Sequence, residues 1–186
     1  LLQKQRQNTP IYYGIKEKTM INGVEILRPL LGFNKEELHK IIDTTRYIKN
    51  NCDVFIVIGI GGSFMGAKAV IEALSPTFNR KSPEIIFLGT NLCAEEYQEV
   101  FDYIKEREVI VNVISKSGTT LEPTIAYNLI MKEMKQKYSD EELKQRIIVT
   151  TDKEKGKLRE EVNEKGYTSF VVPDNTWTVE TWTLGS

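Results

Sequence analysis

Five short runs rich in β-branched residues punctuate the chain at 54–60, 85–89, 109–115, 147–150 and 169–172, and an amphipathic stretch separates each from the next. Several are continuously apolar rather than alternating. That pattern predicts strands buried on both faces, as in a parallel sheet covered by helices on each side. The intervening stretches carry apolar stripes at helical spacing: Phe64, Ala67, Ile71 and Leu74; then Tyr97, Val100, Phe101 and Ile104; then Leu121, Ile125 and Leu129. Each stripe is expected to close one face of the sheet. Ser139 with Glu142 predicts a short capped helix, and Leu158 with Val162 marks the last one.

Upstream, Asn34 followed by Glu37 resembles a capping box. Leu38, Ile41, Ile42, Thr45 and Ile48 then predict a helix to about Lys49. Residues 1–29 show little helical period and read as a loose arm with a small hairpin. The expected fold class is α/β, a three-layer αβα sandwich around a five-stranded parallel sheet. The expected organisation is an arm over 1–33, one domain over 34–175 and a tail over 176–186.

Composition narrows the partners. At 186 residues, 40% hydrophobic and 27% charged, the chain can fold one full-sized domain. Its formal net charge of -1, with both signs interleaved, offers no basic face for a nucleic-acid backbone or an anionic membrane. The longest apolar run, 54–60, is far short of a bilayer span, and the pattern of a secretory signal is missing. The two cysteines, Cys52 and Cys93, have no metal-ligand or disulfide-framework spacing and read as reduced thiols of a cytoplasmic protein. No metal or cofactor is expected. The first residue, Leu1, suggests a processed product or a piece of a longer protein.

In an open parallel sheet, ligands sit beyond the carboxyl ends of the strands, where helix amino termini direct free N–H groups outward. The loop after the first strand reads Gly59-Ile60-Gly61-Gly62-Ser63-Phe64-Met65-Gly66, and its glycines allow close backbone approach to a ligand. A dinucleotide fingerprint would need glycine where Phe64 stands. A P-loop would need lysine where Ala67 stands, and Lys68 comes one residue late. The loop after the third strand reads Ser115-Lys116-Ser117-Gly118-Thr119-Thr120-Leu121-Glu122, with four hydroxyls in six residues. Such a cradle suits a terminal phosphomonoester, with charge-assisted hydrogen bonds worth about 1.5 to 3 kcal/mol each. The same residues could instead form a Ser/Thr cap with a flexible turn.

These two loops, with the later Val171-Val172-Pro173-Asp174-Asn175, closely resemble the motifs of the phosphoglucose isomerase family, in its order and approximate spacing. That family interconverts glucose 6-phosphate and fructose 6-phosphate. The resemblance covers roughly 34–175 and implies a sugar isomerase domain with a flavodoxin-like sheet. By matching position, it implies that Gly62 and Ser63 line the substrate site and that Ser115, Ser117 and Thr120 hold the 6-phosphate through hydroxyls. Lys116 and Thr119 would contribute mainly backbone N–H groups. Glu122 matches an acidic position near the family's active site, although a first-turn helix carboxylate pointing away is an equal chemical option.

The resemblance stops after Asn175, where the family continues with a glycine-glycine-arginine run and this chain has Thr176-Trp177-Thr178-Val179. The family's proton-transfer glutamate, ring-opening histidine and lysine, and charge-stabilising arginine all lie beyond that point. The expectation is therefore sugar-phosphate binding with little or no turnover by the chain alone, and no catalytic residue is assigned. The single histidine, His39, does not match the catalytic one and reads as a surface or packing residue. The family also draws on a neighbouring subunit, which implies a homodimer or higher homo-oligomer. A related possibility is a non-catalytic sugar-phosphate sensor, since similar domains serve that role.

Overall fold

The computed structural model describes residues 35–75 and 83–172. The hairpin expected within 1–29, the cap at Asn34, the residues Pro173-Asp174-Asn175 and the tail over 176–186 lie outside them. The chain divides into two compact units, 1–46 and 47–186, and the second holds the sheet.

The described elements alternate as the apolar pattern predicts. Helix α1 (Lys35–Asn51) leads into β1 (Val54–Ile58), α2 (Met65–Leu74), β2 (Glu84–Leu88), α3 (Ala94–Ile104) and β3 (Val109–Ile114). Then come α4 (Leu121–Lys137), α5 (Asp140–Arg146), β4 (Ile147–Thr151), α6 (Lys157–Lys165) and β5 (Thr168–Val171). Every pairing is parallel, and the strand order is β2-β1-β3-β4-β5. With this order the chain steps outward from β1 to β2, then returns past β1 to build the rest of the sheet. The topological switch point therefore falls between β1 and β3, where ligand crevices of open α/β sheets form.

The two faces of the sheet are packed unequally. On one face Val54, Ile56, Ile58, Val109, Val111, Val113, Ile147 and Val149 meet α3 through Tyr97, Val100 and Ile104. They also meet α4 through Ala126, Tyr127, Ile130 and Met134, and α6 through Leu158 and Val162. These strand residues are almost wholly excluded from water, and each fully buried branched side chain stabilises the fold by roughly 1.5 to 3 kcal/mol. On the other face a smaller cluster of Cys52, Ile110 and Ile148 packs with Tyr47, Ile48, Phe55 and Phe170.

Two of the expected stripes do not close the sheet. The α2 helix buries no side chain, and Met65, Val70 and Leu74 are exposed, Leu74 at 82%. Phe64, just before it, reaches the sheet, with its ring 5.8 Å from that of Phe87, and Ile71 is half-buried. In α4 two members of the expected stripe, Leu121 and Leu129, are exposed, and the third, Ile125, is half-buried. The buried face is instead Pro123, Ala126, Tyr127, Ile130, Met131 and Met134. The helix is apolar on two overlapping stripes, so spacing alone does not choose between them. Neither proline nor alanine advertises burial, yet Pro123 fits the first turn because its missing N–H would have had no intrahelical partner there.

Candidate functional site

The two loops singled out in the sequence leave neighbouring strands. Ile58 and Val113 are paired in register, so the chain beyond each strand emerges side by side at the switch point. Contact between them is close. A β-carbon placed on Gly59 would lie 3.1 Å from the Ser63 Cβ and 3.4 Å from the Ile114 carbonyl oxygen, which explains why glycine ends β1.

The first loop closes as a 3-10 turn over Gly61–Ser63, in which the Ser63 N–H donates to the Ile60 carbonyl at 3.0 Å. Gly62 is exposed and Ser63 half-buried. Helix α2 follows at once without a capping side chain and without an acidic residue in its first turn. Its first amides therefore have no partner within the helix and carry the positive end of its dipole.

The second loop is shaped from within. Ser115 is buried, and its Oγ accepts the Gly118 N–H at 3.1 Å. The Ser117 Oγ accepts the Thr119 N–H at 3.2 Å and lies 3.4 Å from the Thr120 Oγ1. Ser117 and Thr119 are exposed, while Lys116, Thr120 and Glu122 are half-buried. The four hydroxyls thus divide. Ser115 turns inward to hold the loop, and Ser117 and Thr120 stand together at its outer surface. Gly118 makes the turn at φ 64°, a left-handed conformation that favours glycine. Helix α4 then starts from Thr120 with no side-chain cap, so its first-turn amides, Pro123 excepted, also face the carboxyl edge.

A third segment, not singled out from the sequence, backs the second loop. The Thr151 Oγ1 donates to the Ser115 carbonyl at 2.7 Å, and a β-carbon on Gly156 would lie only 2.7 Å from the Ser117 carbonyl oxygen. Asp152 stiffens this segment by accepting the Glu154 and Lys155 N–H groups at 2.8 and 3.0 Å. Those two amides, and beyond them the charge of Lys116, hold its carboxyl below the usual range. The only advance signal was a glycine just ahead of the Leu158 and Val162 stripe. A buried strand-end threonine has no sequence pattern of its own.

Behind the loop, between α4 and α6, lies a cavity of about 200 Å³ lined by Ser115, Gly118, Pro123, Tyr127, Leu158 and Glu161 among others. Tyr127 donates to Glu161 across it at 2.9 Å, and burial, together with that carboxylate, pushes its phenol well above the ordinary range. A larger cavity of about 490 Å³ lies at the opposite, amino edge, among Phe101, Asp102, Lys105, Glu133, Met134 and Lys137. Its lining mixes both charge signs and touches neither loop, so it gives no preference for an anion. His39 is exposed on α1, the buried Cys52 thiol donates to the Ile48 carbonyl at 3.2 Å, and Cys93 is an exposed thiol. Among the described residues no group of acidic, histidine and cysteine side chains could hold a metal ion, and no helix is long and apolar enough to cross a membrane.

Known proteins resemble this chain in sequence and in fold. A family model described as phosphoglucose isomerase matches residues 15–168. The glucose-6-phosphate isomerase of Staphylococcus saprophyticus is 46% identical over 147 residues, covering 78% of this chain and 33% of that protein. The enzyme of the same name from Staphylococcus aureus is 45% identical over the same length. Among solved structures, a hypothetical protein from Thermus thermophilus superposes with a TM-score of 0.63 at 28% identity, covering 75% of this chain and 32% of that one. A glucose-6-phosphate isomerase from Chlamydia trachomatis shares the fold with a TM-score of 0.57 at 23% identity, covering 75% and 26% respectively. The chain spans about a third of the length of the curated relatives it matches, 33% in each case cited. On the match over 15–168, the chain belongs to the phosphoglucose isomerase family.

Proposed function

We propose that this chain is the phosphate-holding domain of a glucose-6-phosphate isomerase and binds the 6-phosphate of glucose 6-phosphate and fructose 6-phosphate at the switch point between β1 and β3. The observation that carries the reading is the pair of adjacent strand-end loops, each opening into a helix whose first turn no side chain caps. A phosphate dianion there accepts from the first-turn amides of α2 and α4 and from the outward hydroxyls of Ser117 and Thr120. Gly62 and Ser63 wall the sugar side, and Lys116 adds positive charge beside the loop. Glu122, in the first turn of α4, complements the helix dipole at the edge of the cradle.

The reaction of the whole enzyme moves a proton between C1 and C2 of the opened sugar, far along the chain from the phosphate. Holding the non-reacting phosphate fixes where C1 and C2 stand, which is how binding energy remote from the chemistry lowers the barrier. General acid and base groups each contribute about 10² to 10⁴ in rate. The residues assigned to the cradle hold the phosphate end of the sugar, so the chain alone is expected to bind and to turn over little. The working enzyme is a cytoplasmic homo-oligomer of glycolysis and gluconeogenesis.

Titration of the chain with glucose 6-phosphate, fructose 6-phosphate and inorganic phosphate, while thermal unfolding is followed, tests the reading. Ligand at a hundred times its Kd stabilises the folded state by about 2.7 kcal/mol, so the midpoint is expected to rise with all three. An unchanged midpoint with every one of them contradicts it.

A further inference from the structure

We propose that Thr151 is a positioning residue for the loop over 115–120, and that its hydroxyl, without touching substrate, sets the geometry in which Ser117 and Thr120 meet phosphate. The inference rests on the reading of that loop as the phosphate holder. The ladder between β3 and β4 ends with Ile114 opposite Thr150, after which the Ser115 N–H makes one more bond, to the Thr150 carbonyl at 3.0 Å. Beyond it the strands have no further backbone bond, and the Thr151 side chain takes over. Thr151 is fully buried, and its Oγ1 donates to the Ser115 carbonyl at 2.7 Å, with the Lys116 carbonyl at 3.5 Å. One hydroxyl thus grips the residue at which the chain leaves the sheet and bends into the cradle.

Packing alone does not do this work, because part of the side of the loop toward α4 and α6 borders a cavity of about 200 Å³. What fixes the loop is two polar contacts, the Thr151 grip and the Ser115 hydroxyl on the Gly118 N–H, together with the close approach of Gly118 to Leu158 and of Gly156 to Ser117. The segment behind is itself rigid enough to act as a brace. Asp152 accepts two amides of its own turn, and Arg159 donates from Nε to the Asp152 carbonyl at 2.8 Å. Gly156, at φ 98°, stands where any β-carbon would push on the Ser117 carbonyl.

The test is calorimetric titration of the 186-residue chain with glucose 6-phosphate and with inorganic phosphate, for the wild type, Thr151→Val, Thr151→Ser and Gly156→Ala. Thr151→Val keeps the shape and removes the donor; its Kd is expected to rise about tenfold for both ligands, and Thr151→Ser to restore it to within about twofold. A merely structural threonine would lower the melting midpoint without this split between the two replacements. Thr151→Val binding as tightly as wild type overturns the inference, as does failure of the serine to restore affinity. Should Thr151→Val not fold, Gly156→Ala serves in its place: about tenfold weaker binding supports the brace, and unaltered binding overturns it. Absence of binding by the wild type overturns the reading of the loop itself and this inference with it.

Discussion

At the amino edge of the sheet, polar groups answer one another. Arg146 donates to the Val109 carbonyl at 3.2 Å, pairs with Glu108 and stacks over the Tyr138 ring at 4.1 Å. Tyr138 in turn accepts the Val109 N–H at 3.0 Å, and Lys137 donates to the carbonyls of Ile104 and Arg107. Helix α5, which starts there, carries a complete capping box between Ser139 and Glu142. At the carboxyl edge, α2, α4 and α6 begin without any capping side chain. Even α3, also uncapped, fills its first turn with Glu95 and Glu96, whereas α2 has no acid there. Among the described helices, the chain thus caps α5 at the amino edge and leaves uncapped the two helices that follow the motif loops. Incomplete caps cost stability, commonly about 1 kcal/mol each, and concentrate donors for an external anion.

The contrast is breakable by substitution on either edge. The largest effect is expected from Ser117→Asp, which sets a carboxylate at the outer surface of the second loop. Affinity for glucose 6-phosphate and for phosphate should fall by a hundredfold or more, on the order of two charge-assisted hydrogen bonds. Because Ser117 is exposed, the urea midpoint should scarcely move. Arg146→Ala is expected to do the reverse: about 2 kcal/mol less stable by urea unfolding, with the Kd for phosphate unaltered. Ser139→Ala should cost about 1 kcal/mol through the lost cap, again without touching affinity.

Acid provides a smaller, continuous version of the same test. The Ser139 side chain first, then its N–H, hold the Glu142 carboxyl below its usual range. A carboxyl with its folded pKa depressed contributes stability above the unfolded pKa and loses it as pH falls through the folded value. The unfolding free energy should therefore decline from about pH 6 to about pH 3, and less steeply in Glu142→Gln. The least effect concerns the thiols. Burial first, and then the nearby Asp53 charge, push Cys52 up to about 11, while Cys93 is exposed. A thiol reagent at neutral pH should label Cys93 promptly in the native chain and reach Cys52 only on unfolding.

The strands were legible because continuous β-branched runs have few other uses, and the observed strands lie within a residue or two of the expected ones. Tyr97, Val100 and Ile104 were legible for the same reason on a helix with one clear stripe. The buried face of α4 was not, because Leu121, Ile125 and Leu129 compete with a second stripe that includes Pro123, Ala126 and Tyr127. Nor could the pattern show that α2 leaves Met65, Val70 and Leu74 exposed, since apolar spacing announces a face and not its cover. At the candidate site, glycine and hydroxyl clusters marked both loops in advance as strand-end turns. The inward turn of Ser115 and the grip of Thr151 depend on which strands are neighbours, and a linear reading does not hold that information.

The account turns on whether one anion engages both loops together. Amide chemical shifts of the isotopically labelled chain during titration with inorganic phosphate would measure this directly. The account predicts that amides over 61–67 and over 115–122 shift along a single saturation curve while those around Lys137 and Ser139 stay still. Saturation confined to one loop, movement at the amino edge in place of both, or no saturable shift at all would contradict it.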